Sequence, residues 1–556
     1  MPDRVNVILV ITDDQGYGDI GCHGNPVLKT PNLDQMARDS VQLGDHHHDP
    51  LCSPSRAALL TGQYASRNGV WHVIQGRHLL DPRAVTMADV FSANGYRTGM
   101  FGKWHLGDNY PFAPQFRGFG HVLCHRGGGV GELPDYWGNN YVNDCYFLNG
   151  EPRRYQGYCS DVFFDEAIRF IEAEPNSPFF VYLATNAMHA PHIVPEEYAA
   201  PYRKSAIPKD RANFYGMIAN FDENMGKLFC RLRELQLEEN TIVVFTADHG
   251  TAAGFDPATG DGYNAGMRGK KGSMYDGGHR VSCLFRWKDH LPAGKSVKSL
   301  TAHVDMLPTL IELCKLELTR EVEFDGVSLA ADMQGESDRL AGRTLFIHLQ
   351  PDQPEKWRDC VVLRDNWRLI NGSELYDIAS DKGQRRDVSS EHPHVVRDLR
   401  DQYETWWNGL REPMSRFVHI PIGAARGSPV VLSARDWHPS AGRVPWRQDW
   451  IADPAYDANG FWMIDVRKAG RFEVELRAYP READLPAGAT SARLQIDGVE
   501  YVNICHENAT RVAFVVELAA GKTRLQTWLS NHSRRRLRGA YYVYITPLQG
   551  KTGVRR

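Results

Sequence analysis

The chain lacks the features that mark several common classes of protein. Its ten cysteines (22, 52, 124, 145, 159, 230, 283, 314, 360 and 505) are scattered, with no Cys-x-x-Cys pair. That spacing suggests neither a zinc site nor a disulfide framework, and reduced thiols are expected. A basic excess is missing too: the net charge is −4, which argues against a nucleic-acid partner. Any anion must therefore be held by local placement of charge. No internal repeat or low-complexity tract is present. The opening apolar run, Val5 to Ile11, is too short to span a bilayer and has no cleavage site after it. No membrane segment and no leader are expected. A cytoplasmic location follows, or a periplasmic or secreted one if a leader has already been removed.

What remains is the composition of a folded globular protein, 42% hydrophobic and 24% charged. Its 556 residues exceed what one core serves, so two or more domains are expected. The most telling stretch is Leu51-Cys52-Ser53-Pro54-Ser55-Arg56-Ala57-Ala58-Leu59-Leu60-Thr61-Gly62. It reads as a loop entering a helix, with Ser53 as N-cap and Pro54 at the first helical position. The Cys52 thiol would then lie where free N–H groups and the helix dipole favour negative charge. Arg56 adds a cation one turn in.

Other chemistry-bearing residues follow buried strands. Val5–Thr12 is an apolar run rich in β-branched residues and is followed by Asp13-Asp14, and Thr241–Ala247 reads as the next buried strand, followed by Asp248-His249. In open α/β sheets, ligand sites gather at the carboxyl ends of strands. Adjacent carboxylates there are costly unless a cation pairs with them. Tyr96–Phe101 is a strand leading to Lys103 and His105, and Pro178–Thr185 is one leading to His189 and His192. Thr30 and Pro31 start a helix, and Thr86–Ala93 forms a short one stopped at Gly95. Ser160–Glu172 has helical spacing, and Phe214, Met217, Ile218, Phe221, Met225, Leu228, Phe229 and Leu232 form the core stripe of a long helix.

Val41–His47 reads as a strand carrying part of the run His46-His47-His48. Neighbours along a strand face opposite ways, so the three rings cannot share one ion. Surface or pocket-rim positions are expected for them. Residues 108–158, rich in Gly, Tyr, Pro and Asn, are expected to loop over the site and choose the substrate. Cys360–Ile370 and Glu374–Ile378 look like short strands, and Pro393–Leu410 like an amphipathic helix. Beyond an irregular stretch from 411 to 460, alternating runs from Phe461 to Thr546 suggest an antiparallel sandwich.

Cys52-x-Pro54-x-Arg56 followed by Leu59-Leu60-Thr61-Gly62 resembles the first signature of the type I, formylglycine-dependent sulfatases. Gly95-Tyr96-Arg97-Thr98-Gly99-Met100-Phe101-Gly102-Lys103-Trp104-His105 resembles the second. The segment from Lys271 to Val281 is similar to a third family pattern, with Asp276 where Glu is usual. Ala302-His303-Val304-Asp305 also matches. The resemblance covers roughly residues 5–410. It implies an alkaline-phosphatase-like mixed sheet flanked by helices (1–355), a small α+β subdomain (356–412) and, outside the resemblance, a β-rich accessory domain (413–556).

The resemblance also implies a chemistry. Cys52 would be oxidised by a maturation enzyme to C-alpha-formylglycine, whose hydrate attacks sulfur. Asp13, Asp14, Asp248, His249 and the modified Cys52 would bind Ca²⁺. His249 stands where Asn is common, which leaves Mn²⁺ or Mg²⁺ open. Arg56, Lys103 and Lys271 would hold the sulfate. His189, with Lys271, would protonate the leaving alcohol, and His105 would take the proton that releases sulfate, with these two histidine roles exchangeable. The expected substrate is a sulfated small molecule or glycan, and a homo-oligomer is open. Two other readings use the same residues: a phosphonate monoester or phosphodiester hydrolase, and a carbohydrate-binding protein with a vestigial site.

Overall fold

A computed structural model of the chain describes residues 4–204, 207–335, 340–453, 455–531 and 536–548. The centre is a mixed sheet of ten strands: β1 (Asn6–Thr12), β2 (Val41–His47), β3 (Arg97–Lys103), β4 (His121–His125), β5 (Cys145–Leu148), β6 (Glu151–Arg154), β7 (Phe179–Ala184), β8 (Thr241–Ala247), β9 (Cys283–Arg286) and β10 (Ser296–Ala302). Their order is β10-β2-β9-β8-β1-β7-β3-β4-β5-β6. Four central strands, β8, β1, β7 and β3, run parallel, and every residue of β1, β7 and β8 is buried. Such unbroken apolar strands need cover on both faces.

The side-chain alternation of β1 divides that cover. Val7, Leu9 and Ile11 join one core with helices Cys52–Thr61, Met87–Ala93, Met306–Cys314 and Pro393–Ser415. Ile8 and Val10 point the other way, against helices Pro31–Arg38, Cys159–Ala173 and Lys209–Glu234. Of the stripe expected on the longest of these, only Phe229 stays partly buried; the Arg286 guanidinium covers its ring at 5.4 Å.

Residues 108–158 are less loop-like than their composition suggests. They supply β4, β5 and β6, which extend one edge of the main sheet. A second, antiparallel sheet orders Thr344–His348, Cys360–Arg364, Trp367–Ile370 and Glu374–Asp377, and so takes in residues on both sides of position 356. Beyond helix Pro393–Ser415 come a seven-stranded and a four-stranded sheet, mainly antiparallel, including Asn459–Val466, Gly470–Arg477, Val512–Leu518 and Tyr542–Pro547. Ile420–Ile422 pairs parallel with Asn459–Val466. The apolar interior of these sheets is continuous with Leu79, Phe112 and Leu133 from the first part of the chain. Among the described residues, no helix is long and apolar enough to cross a membrane.

Candidate active site

The parallel strands deliver polar residues to one edge of the sheet. β1 is followed by Asp13 and Asp14, β8 by Asp248 and His249, and β7 by the segment reaching His189, while β3 ends on Lys103. Asp14 (φ +65°) and His105 (φ +63°) both take left-handed backbone conformations, strain of a kind that gathers at functional sites.

Helix Cys52–Thr61 begins two residues earlier than expected. Leu51 is the N-cap, extended at φ −136° and ψ 154° with no side-chain cap, and Cys52 is already helical. Ser53 therefore does not cap; its hydroxyl donates to the His105 carbonyl at 2.8 Å. That bond ties the helix start to the turn after β3.

The site residues converge. Cys52 Sγ lies 3.3 Å from His249 Nε2 and 3.6 Å from Asp13 Oδ1. Arg56 donates to Asp248 Oδ2 at 3.1 Å and to the Lys103 carbonyl at 3.1 Å. The Lys103 ammonium pairs with Asp13 Oδ2, and Lys271 Nζ lies 2.6 Å from Asp14 Oδ1. His249 Nε2 is 3.2 Å from that same Asp14 oxygen and 3.4 Å from Asp248 Oδ1.

Donor atoms of Asp13, Cys52, Asp248 and His249 all lie within 4.8 Å of one another, and all four residues are buried. Two carboxylates, an imidazole nitrogen and the atom at position 52 so close together fit a divalent cation, which offsets the carboxylate charge. Asp14 is adjacent but is drawn to Lys271.

Burial sets the direction of several titrations. It pushes the Cys52 thiol upward, outweighing Lys103, despite its place at a helix start. Burial works against the Asp13 carboxylate, yet Lys103, His189 and Arg56 hold it well below the ordinary range. Burial also opposes the Lys271 ammonium, but Asp14 lifts its pKa above that of an ordinary lysine. Both His105 and His189 are lowered, chiefly by burial; Arg435 adds to the effect on His105. His189 Nδ1 faces the Ala190 carbonyl at 2.8 Å. A carbonyl only accepts, so Nδ1 carries the hydrogen and Nε2 is left bare.

These residues open into a pocket of about 250 Å³ lined by Cys52, His105, His189, Lys271 and, from elsewhere, His72, Glu132, Arg435, Arg443 and Trp446. Sequence reasoning missed Glu132 and Arg435. The Arg435 guanidinium touches His105 Nε2, donates to the Val73 carbonyl at 2.9 Å and pairs with Glu132 Oε2 at 2.6 Å. Glu132 Oε1 lies 4.0 Å from His189 Nε2. Neither residue belongs to a motif, and Arg435 lies in the stretch that looks irregular.

The histidine run is not at a rim. His46, His47 and His48 are all fully buried. Alternation separates them as expected: His46 Nε2 meets His48 Nε2 at 3.1 Å, while His47 faces His279, Nδ1 to Nδ1 at 2.9 Å. On the His47 side, Arg368 bridges Asp45 and Asp276. His279 is thus a supporting residue behind the pocket. His192 pairs with Asp210 at 2.8 Å and does not line the pocket.

The family model described as Sulfatase matches residues 5–316. Arylsulfatase A of Homo sapiens is 31% identical over 465 residues, 77% of this chain and 86% of that protein. N-acetylgalactosamine-6-sulfatase of Sus scrofa is 31% identical over 375 residues, 62% of this chain and 69% of that protein. The crystal structure of Ps i-CgsB superimposes with a TM-score of 0.67 at 28% identity, over 74% of this chain and 94% of that one. A second structure of that protein holds k-i-k-neocarrahexaose. The chain belongs to the sulfatase family, with its alkaline-phosphatase-like fold and its activity of sulfate ester hydrolysis.

Proposed function

We propose that this chain hydrolyses aryl or carbohydrate sulfates through an oxygen nucleophile at position 52, made when a maturation enzyme oxidises Cys52 to C-alpha-formylglycine. The observation that carries this is the placement of residue 52. Cys52 Sγ lies 3.6 Å from Asp13 Oδ1 and 3.3 Å from His249 Nε2, and Lys103, Arg56 and Lys271 each pair with an aspartate beside it. An oxygen nucleophile made at that position stands among the cations that bind and polarise an anionic ester.

Asp13, Asp14, Asp248, His249 and the modified residue 52 would hold a divalent cation, Ca²⁺ first because carboxylate oxygens dominate, with Mn²⁺ or Mg²⁺ as alternatives favoured by His249. When present, the hydrated aldehyde supplies a hydroxyl for attack and a second for releasing sulfate, and the cation acidifies such a hydroxyl. The side chains do the rest. Arg56, Lys103 and Lys271 bind and orient the sulfate oxygens and stabilise charge there as the ester bond breaks. His189 faces the pocket with a bare Nε2; once protonated there it is the acid for the leaving alcohol, with the Lys271 ammonium alongside. His105 takes the proton from the remaining hydroxyl. Sugar esters are included because Ps i-CgsB, a structural neighbour, was crystallised with k-i-k-neocarrahexaose.

The test is the mass of the peptide containing Cys52, read beside sulfate release from 4-nitrophenyl sulfate. Loss of H₂S and gain of O with turnover supports the reading. An unmodified thiol in fully active protein refutes it.

A further inference from the structure

The family model ends at residue 316, but the pocket does not. Arg435, Arg443 and Trp446 form one wall of it from the C-terminal β-region. That wall is built in. Gln448 Nε2 donates to the carbonyls of Glu132 and Asp135 at 3.0 and 3.1 Å, and its Oε1 accepts from Gly138 N at 3.0 Å. Leu133 N donates to the Trp446 carbonyl at 3.0 Å. The Tyr542 hydroxyl donates to the Leu133 carbonyl. The loop carrying Glu132 and the segment carrying Trp446 are therefore tied to each other.

The charges in this pocket are unequal in one respect. Arg56, Lys103, Lys271 and Arg435 each have a carboxylate partner: Asp248, Asp13, Asp14 and Glu132. Arg443 is exposed at the rim, and among the described residues it has no acidic partner within ion-pair distance. Its guanidinium instead lies 4.8 Å from the centre of the Trp450 ring, and Trp450 packs edge-on against Trp446 at 5.2 Å. A half-buried indole with an unpaired guanidinium beside it suits a ring that is apolar on its face and anionic at its edge.

We infer that the C-terminal β-region supplies the leaving-group subsite, and that this subsite selects a sulfated sugar ring bearing a second anionic group. The ring lies against Trp446, and the second anion, a sulfate or carboxylate, pairs with Arg443. The inference rests on the sulfatase reading above. A guanidinium fork matches either oxyanion, so the probes must separate the two.

The experiment measures sulfate release by the full, matured chain from three esters of one parent sugar: the monosulfate, the disulfate, and the monosulfate of the corresponding uronic acid. 4-Nitrophenyl sulfate is run beside them. The expected result is a kcat/KM at least about tenfold higher for one or both doubly anionic esters than for the plain monosulfate. The favoured one identifies the second anion. Arg443→Ala should collapse that ratio towards one, and Arg443→Lys should keep part of it. Trp446→Ala should lower all three sugar esters while preserving their order. A wild type without the preference, or an Arg443→Ala variant that retains it, overturns the inference. Turnover of 4-nitrophenyl sulfate with a flat sugar panel overturns this inference alone. No sulfate release from any ester, by protein whose Cys52 peptide carries the aldehyde, overturns it together with the reading beneath it.

Discussion

Arg56 donates to Asp248 Oδ2 at 3.1 Å, and neither side chain is exposed to solvent. The same guanidinium group lies 4.0 Å from Asp13. It thus holds two carboxylates of the cluster in place from the second turn of the helix that begins at Cys52.

Arg56→Ala should therefore fail in two ways. It removes a fixed donor from the sulfate, a loss on the order of 10²–10³ in kcat. It also leaves the buried Asp248 carboxylate without its arginine, while Asp13 keeps Lys103, costing about 3–5 kcal/mol of stability. Arg56→Lys keeps the charge but not the fork, so stability should recover more than activity. Steady-state sulfate release and a urea midpoint for each variant check this. An Ala variant within tenfold of wild type in kcat would refute the role.

Asp19 gives a pH prediction. Burial raises its carboxyl to about 7, against hydrogen bonds from Thr251 and the Gly16 amide. The folded chain then holds a proton that the unfolded chain gives up near pH 4. Stability contributed by that proton is complete below pH 4 and is lost as pH rises to 7, by a few kcal/mol on the order-of-magnitude scale of about 1.4 kcal/mol per unit. Asp19→Asn removes this dependence. Its Tm relative to wild type should be clearly higher at pH 8 than at pH 5; an equal difference at both would rule the effect out.

The cation site predicts a response to chelation. Stripping divalent ions should abolish sulfate release and lower Tm, since a bound ion stabilises only the folded state, by about 2.7 kcal/mol at a hundredfold excess over Kd. Ca²⁺ should restore both. His249→Asn exchanges a nitrogen ligand for oxygen, and should shift the Mn²⁺ to Ca²⁺ affinity ratio towards Ca²⁺ by about tenfold. Competition calorimetry reads that ratio directly, and an unchanged value would remove His249 from the ligand set.

Much of this arrangement was legible in the chain itself, for physical reasons. Val41–His47 and Thr241–Ala247 form strands with the expected bounds; the second is an unbroken buried run, as a central parallel strand requires. Cys52, Arg56, Lys103, Lys271 and the Asp248-His249 pair meet because each sits beside a motif at a strand or helix end. The rest depended on distance along the chain. Arg435 is 330 residues from His105 and 303 from Glu132, and no local pattern marks such a contact. The helix start slipped because Leu51, not Ser53, takes the extended cap conformation. The histidine run reads as polar, yet each ring is neutralised by burial and finds a partner inside.

Arg368 tests how that buried cluster is held. It donates through Nε to Asp276 at 3.0 Å and through Nη2 to Asp45 at 2.9 Å, joining the second sheet to β2 and to the segment after Lys271. Arg368→Ala leaves two buried carboxylates with only the more distant Arg280, at 3.7 and 3.9 Å, and should cost about 3–5 kcal/mol. The double change Arg368→Met, Asp45→Asn should recover most of that loss, because Asp276 and Arg280 then remain to offset each other. A urea midpoint series separates the outcomes: if the double variant is no more stable than Arg368→Ala, the stranded-charge account is wrong.

Glu132 and Arg435 form the link that sequence reasoning could not see, and they can be tested as a pair. Both are buried, and their contact closes a line of groups running His105, Arg435, Glu132, His189 across the pocket. Arg435→Met strands the Glu132 carboxylate next to His189 and should raise that ring's pKa. Glu132→Gln strands the Arg435 guanidinium against His105 and should depress that one further. Opposite shifts in the two limbs of the kcat/KM pH profile are the expected signature, which a merely structural contact would not produce. The double variant should restore stability relative to either single change, with a coupling energy of about 1–3 kcal/mol. Additive losses with an unmoved pH profile would show that Arg435 only fills space, and would leave the two histidines to be set by burial alone.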